Sequence, residues 1–373
     1  MNLYKLIFLL KTAICFLLLF LSIHNKSFAA IDTNEPQIIQ HSNSLSYENL
    51  FSEFTIDLIS NVVGDYIYVA SLDGNIAKLD IVNHQCLWQK KIPTDHILSI
   101  VADISNVVVV SETGNILLFD NNGNQKWMSS VNNLINTPPI IYKNIILIRT
   151  CDLSMSAFDL HNGEVIWSLN NYFFSISSAI YSPMLRLRKS VITYSTNNSI
   201  SSIDIDTGFV EWKIPVSLDN VNNDLLGING SFLTYKNNVY FASSKNYITC
   251  LDITNTVSIK WSKMFPSCHI MYMSDGFIYA LNDEGELAKF NATDGSVIWK
   301  KIILKNCKFR TILVENNLIV CGDSFGWLYF ISSDEGSVFY KSKISKNSIL
   351  SSVIFNENKI IVNAIDGIFI IDI

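Results

Sequence analysis

What this chain most clearly lacks is any grouping of metal-binding or nucleophilic side chains. Its 7 cysteines stand singly, with no Cys-x-x-Cys and no adjacent pair, and none of its 6 histidines falls at ligand spacing from them. A zinc site and a dithiol redox centre therefore have no motif behind them. His24, His41, His84, His96, His161 and His269 also lack a serine, cysteine or paired carboxylate at a spacing that implies a nucleophile and its base. They read as loop or strand-edge residues. Charge is thin, at 16% of residues, forms no block of one sign, and sums to −6 at pH 7. An acidic balance makes a poor nucleic-acid binder. No Pro- or Ser-rich stretch interrupts the chain and its composition does not break, so nothing marks a second domain.

What the sequence has instead is a repeat. The segment Ile278 to Ile302, IYALNDEGELAKFNATDGSVIWKKI, reads as an apolar strand, a tight turn, an alternating strand, an Asn/Thr/Asp/Gly loop and a strand carrying Trp299. Gly285 and Gly295 supply the positive φ that such short loops require. Relatives of this segment close at Trp88, Trp127, Trp167, Trp212 and Trp261 before it, and at Tyr340 after it. The intervals are 39, 40, 45, 49, 38 and 41 residues, the period of a four-stranded propeller blade and not of a helical repeat. Of the 7 tryptophans only Trp327 falls outside this position, which gives the others a structural duty. A final fragment, IIVNAIDGIFIIDI, stops at Ile373 before any aromatic strand.

A sheet left short of its outermost strand exposes an edge, and propellers close by lending it an N-terminal strand. Pro36-Gln37-Ile38-Ile39-Gln40 is the candidate, with Phe54 to Val63 as the innermost strand of the first blade. The sequence thus predicts an all-β fold: an eight-bladed β-propeller of four-stranded antiparallel blades, closed by that pairing, with seven blades as the alternative count. Before it, residues 1–29 carry Lys5 and Lys11, an apolar run from Ala13 to Ile23, a His24-Asn25-Lys26 shoulder and Ser27-Phe28-Ala29. That is the layout of a secretory signal peptide, leaving residues 30–373 as one domain. An uncleaved anchor over Leu6 to Ile23 is the other reading. Cys15 follows Thr12-Ala13-Ile14, without the small residue that a lipoprotein signal sets before its cysteine.

The remaining cysteines, Cys86, Cys151, Cys250, Cys268, Cys307 and Cys321, mostly fall in apolar strand patterns and read as small buried hydrophobes. Cys307 and Cys321 flank the Glu315-Asn316-Asn317 turn and are the pair to test for oxidation. Asp80, Asp120, Asp159, Asp204 and Asp252, with Asn291 in the sixth copy, recur at the end of the third strand. There a carboxylate can accept from the N–H groups of the following turn, so the side-chain type needs no chemistry. A catalytic acid would occur once. Asp204-Ile205-Asp206 comes nearest to a calcium loop and belongs to the repeat.

FDLHNGEVIW, IDIDTGFVEW and FNATDGSVIW resemble the repeat of pyrroloquinoline-quinone-type propellers. With the signal sequence, the length and the blade count, the whole chain is similar to the BamB family, periplasmic propellers of the outer-membrane β-barrel assembly machinery. GDSFGWLYFISSDEGSVF, Gly322 to Phe339, is similar to that family's penultimate blade. The resemblance implies a non-enzymatic scaffold without cofactor, at the outer membrane, that binds a BamA-like insertase subunit and nascent outer membrane proteins. It places partner-facing loops at Asn170 to Pro183 and Leu218 to Gly230. Where relatives carry a Leu/Arg cluster this chain has Phe173-Phe174-Ser175-Ile176; where they carry paired aspartates it has Gly227-Ile228-Asn229, with Asp224 upstream. The implied partner-binding residues are therefore Phe173, Phe174, Ile176, Asp224 and Asn229. Two rivals share the fold class: a quinone-dependent dehydrogenase, which would need a calcium cluster and a general-base aspartate, and a carbohydrate-binding sensor.

One stretch stands apart from the family pattern. Met184-Leu185-Arg186-Leu187-Arg188-Lys189 alternates apolar and basic residues within an acidic protein. Either the leucines pack between blades and the cations are solvated, or Arg186 and Arg188 form a basic spot for an acidic partner.

Overall fold

The computed structural model describes residues 47–49, 59–93, 96–170, 183–195, 199–215, 228–243, 246–305, 307–356 and 359–372. The expected signal peptide and the Pro36–Gln40 segment lie outside them. Among the described residues every regular element is a strand, and the strands form eight four-stranded antiparallel sheets.

The shortest strand, β1 (Tyr47–Asn49), belongs to the last sheet. The first sheet is β2 (Ile59–Val63), β3 (Tyr66–Ala70), β4 (Asn75–Asp80) and β5 (Gln85–Lys91). The second is β6 (Ile97–Ala102), β7 (Asn106–Ser111), β8 (Asn115–Asp120) and β9 (Gln125–Ser130). The third is β10 (Ile140–Tyr142), β11 (Ile145–Arg149), β12 (Met155–Asp159) and β13 (Val165–Leu169). The fourth is β14 (Met184–Leu187), β15 (Ser190–Ser195), β16 (Ser199–Asp204) and β17 (Val210–Pro215). The fifth is β18 (Ile228–Tyr235), β19 (Asn238–Ser243), β20 (Tyr247–Asp252) and β21 (Ser258–Met264). The sixth is β22 (Cys268–Ser274), β23 (Phe277–Asn282), β24 (Glu286–Asn291) and β25 (Val297–Ile302). The seventh is β26 (Phe309–Glu315), β27 (Leu318–Asp323), β28 (Trp327–Ser332) and β29 (Val338–Lys343). The eighth has β30 (Ile349–Asn356), β31 (Lys359–Ala364) and β32 (Gly367–Asp372), and β1 takes its fourth place.

Second and third strands are buried on both faces, which is why NVVVVS in β7 is almost wholly apolar. Fourth strands alternate, as in QKWMSS of β9, where the exposed side chains flank a half-buried Trp127. Eight apolar clusters fill the spaces between successive sheets. One of them joins Ile361, Ile368 and Ile370 of the eighth sheet to Ile67, Val69 and Leu79 of the first, so the succession closes on itself. Each fully buried side chain of this kind contributes roughly 1.5–3 kcal/mol, and no blade could gather that alone. The eighth sheet is completed by Tyr47–Asn49, which pairs antiparallel with Phe369–Ile371. That strand lies beyond the Pro36–Gln40 segment expected from sequence, and the first innermost strand is Ile59–Val63 within the expected Phe54 to Val63.

Antiparallel order also sorts the loops. Turns after first and third strands share one face, tied by Leu160 N–H to Asn144 O at 2.8 Å and Ile205 N–H to Lys189 O at 2.9 Å. Turns after second strands and the links between sheets share the other, tied by Val131 N–H to Gly114 O and Ile344 N–H to Gly326 O, each at 3.0 Å.

Candidate functional site

The repeated residues are engaged with one another across the sheet boundaries. At the end of β8, the Asp120 carboxylate accepts from the N–H groups of Asn122 and Asn124 at 2.9 and 2.8 Å. Asp80, Asp159, Asp204 and Asp252 cap their turns in the same way, and Asn291 does so through Oδ1 to Thr293 N–H. Hydrogen bonds from the turn hold the carboxyls of Asp80, Asp120 and Asp252 below their ordinary value, and a bond from Lys189 leads for Asp204. Donors that favour the charged form are the cause, so the turn gains an anionic cap and no proton donor at neutral pH.

Five of the turns that follow third strands then receive the tryptophan of the preceding sheet. The indole N–H of Trp88 donates to Asn121 O at 3.0 Å, Trp127 to Leu160 O at 2.9 Å and Trp167 to Ile205 O at 2.9 Å. Trp261 donates to Ala292 O at 3.1 Å and Trp299 to Ser333 O at 3.0 Å. The accepting carbonyl always belongs to the residue after the third strand. The ring lies on the turn glycine: a Cβ placed on Gly163 would sit 2.7 Å from Trp127, and one on Gly208 2.7 Å from Trp167. Only a residue without Cβ leaves that room, and φ of +73° at both positions also favours glycine. Trp212 makes no such bond, and the fifth repeat facing it, LDITNTVSIKW, has no glycine.

Sequence reading missed the device that aims these rings. In seven sheets the third and fourth strands slip register at one place, so that one extra residue precedes the aromatic: Leu87, Lys126, Ile166, Glu211, Lys260, Ile298 and Phe339. A bulge twists its strand and redirects the next side chain. It also accounts for the exposure of Leu87, Ile166, Ile298 and Phe339. Its trace in the sequence is the narrow spacing from the Asp or Asn to the Trp, 7 to 9 residues in each copy.

Among the described residues no three of His, Cys, Asp or Glu are grouped to hold a metal ion. Cys250, Cys268, Cys307 and Cys321 are buried free thiols, Cys151 is half-buried and Cys86 exposed. Burial pushes the Cys250 thiol up to about 11 and Cys307 to about 12, so neither is a thiolate at neutral pH. His269 is partly buried, 3.4 Å from Asp283. Arg149 is fully buried and donates to Thr193 Oγ1 and Tyr194 O of the next sheet. Desolvation lowers it to about 9, and it remains a cation that ties the third sheet to the fourth. A cleft of about 280 Å³ beside these residues is lined by Asn133, Thr150, Asp152, Ser154 and Asn170. Asp152 there loses hydration, which raises its affinity for a proton, but hydrogen bonds from Thr150 and Ser154 outweigh that and hold it ionised.

Of the residues singled out for partner binding, Phe173, Phe174, Ile176 and Asp224 lie outside the described residues. Asn229 is on β18, opposite Ala242, next to a register shift. Arg186 is exposed on β14 with its guanidinium 5.6 Å from the Tyr142 ring centre, and Arg188 is exposed on the turn that follows. β13 ends and β14 begins on the linker face, whereas Arg188 is on the opposite one.

The fold and these contacts define a class: an eight-bladed β-propeller of PQQ-like repeats in which the recurrent Asp, Gly and Trp join one blade to the next. Within that class the chain belongs to the BamB family, whose model, described as outer membrane protein assembly factor BamB, matches residues 72–301. It is similar to outer membrane protein assembly factor BamB of Bordetella pertussis, 24% identical over 277 residues that cover 74% of this chain and 72% of that one. Among solved structures, BamB from Moraxella catarrhalis superposes with a TM-score of 0.73 at 17% identity, over 88% of this chain and 96% of that one. Quinohemoprotein alcohol dehydrogenase from Comamonas testosteroni superposes with a TM-score of 0.67 at 12% identity, over 88% and 76%. At such identities the structural likenesses show the fold alone.

Proposed function

We propose that the chain is a non-enzymatic scaffold of the outer-membrane β-barrel assembly machinery, working in the periplasm after export. It binds a BamA-like insertase subunit and, through it, serves nascent outer membrane proteins. The observation that carries this reading is the family match over residues 72–301, joined to the finding that the repeated carboxylates and indoles serve the joints between blades. A rigid ring with two loop-lined faces suits a platform for other proteins. Phe173, Phe174, Ile176, Asp224 and Asn229 are the residues that the resemblance to the family assigns to the insertase.

Crosslinked co-purification from native envelopes tests this. Recovery of the insertase subunit is expected, and its reproducible absence would remove the proposal. The dehydrogenase has the same fold, so calorimetry with pyrroloquinoline quinone and calcium separates the two readings. A scaffold gives no saturable heat with either, whereas a quinoprotein titrates with both.

A further inference from the structure

Among the described residues seven turns follow the innermost strands on the face away from the sheet-to-sheet links, and their charges are sorted by sector. The third sheet presents Lys143, the fourth Arg188 and Lys189 with Arg186 just before them, and the fifth Lys236, all exposed. The described turns of the other sheets are acidic or neutral: Asp65 in the first, Asp103 in the second, Asp275 in the sixth and Glu315 in the seventh. Basic residues thus occupy three consecutive blades of a protein whose net charge is −6.

The backbone makes this arrangement costly. Lys143, Arg188 and Lys236 stand at φ of 48°, 56° and 54°. At the same turn position the first, sixth and seventh sheets have Gly64, Asp275 and Asn316, the residue types that tolerate left-handed φ. Long side chains in that conformation are outliers, and outliers kept in place point to use. Local pairing does not explain them. Lys143 lies 3.5 Å from Asp206 and Lys189 3.0 Å from Asp204, but both lysine side chains are 62% exposed, where an ion pair stabilises little. Arg186, Arg188 and Lys236 have no carboxylate partner among the described residues. Tyr142 and Tyr235 close the first strands of the third and fifth sheets. Their rings support Lys143 at 4.7 Å, Arg186 at 5.6 Å and Lys236 at 5.2 Å, keeping the cationic groups presented.

We propose that this arc of the third to fifth sheets is a second docking surface, taking an acidic, carboxylate-rich segment of a protein partner. It stands on its own observations and does not depend on the insertase reading. An anionic membrane fits less well. A flat bilayer would also meet Asp65, Asp103, Asp275 and Glu315, and those repel it, while a segment spanning three blades avoids them.

The test uses the full chain and a fluorescein-labelled poly-glutamate peptide, followed by anisotropy at low and physiological salt. Binding that weakens with salt is expected. The triple variant Lys143→Gly, Arg188→Gly, Lys236→Gly should lose at least about tenfold in affinity while keeping or raising its melting temperature, because glycine relaxes all three turns. Arg186→Glu, on regular strand, should weaken binding without touching a turn. Asp65→Asn with Asp275→Asn and Glu315→Gln should bind as well or better. Unchanged affinity in the triple variant, or a lower melting temperature with binding intact, would overturn the proposal. So would binding to phosphatidylglycerol vesicles without binding to the peptide.

Discussion

Replacing Gly163 by alanine puts the joint between blades to a quantitative test. Two effects act at this residue and can be separated. The first is conformational, since φ is +73° and a left-handed L-residue costs about 1–2 kcal/mol. The second is steric. The added Cβ would lie 2.7 and 2.8 Å from Trp127 ring atoms, about 1 Å inside ordinary contact. The ring cannot retreat freely, because its N–H is bonded to Leu160 O at 2.9 Å. Overpacking of this kind costs about 1–3 kcal/mol, and a stretched hydrogen bond adds up to about 1 kcal/mol. Gly163→Ala should therefore destabilise by roughly 3–5 kcal/mol. Gly64 provides the control, with φ of +56° and nothing within 4 Å of its Cβ position, so Gly64→Ala should cost only about 1–2 kcal/mol. Urea midpoints followed by far-ultraviolet circular dichroism measure both. In a Trp127→Leu background the cost of Gly163→Ala should fall to that of Gly64→Ala. Equal costs for the two alanines in the parent chain would refute the interlock.

Further expectations follow from the same contacts. Trp167→Phe should lose about 1 kcal/mol through its missing indole bond, and Trp212→Phe less than half of that, since Trp212 has no such bond to lose; chemical denaturation of the pair checks it. Hydrogen bonds hold the Asp80, Asp120, Asp204 and Asp252 carboxyls below the ordinary value of 3.8. Stability from them is present above that value and is lost as pH falls through their lower folded values, so melting temperature should drop below about pH 4. Asp120→Asn should blunt that acid dependence, as read from melting curves across pH 2–6. A thiol reagent at pH 8 should label Cys86 quickly in the native protein, and Cys250, Cys268, Cys307 and Cys321 only on unfolding; mass spectrometry of labelled peptides reports the order.

Much of this architecture was legible because it is local and repeated. The interval between tryptophans set the blade length, the carboxylate that ends most third strands announced a capped turn, and Gly285 and Gly295 marked left-handed positions. Partner geometry was not legible. That Trp127 lies on Gly163, thirty-odd residues ahead and one blade away, cannot be read from either motif alone, because the bulge at Lys126 decides where the ring points. The closing strand was read at Pro36–Gln40, which lies outside the described residues; Tyr47–Asn49 holds the place beside β32, and such a short strand leaves almost no periodic signal.

Spacing and side-chain type act within one blade, and through them the sequence alone determined the class of fold, the length of a blade and the turns that cap it; the choice of eight blades over seven came with the tertiary structure. Tertiary structure decided what meets across blades. It brought Lys143, Arg188 and Lys236 onto one arc of one face, from positions far apart in the chain. The physical reason is that hydrogen bonding and alternation act along a strand, whereas closing a ring sets which distant turns become neighbours.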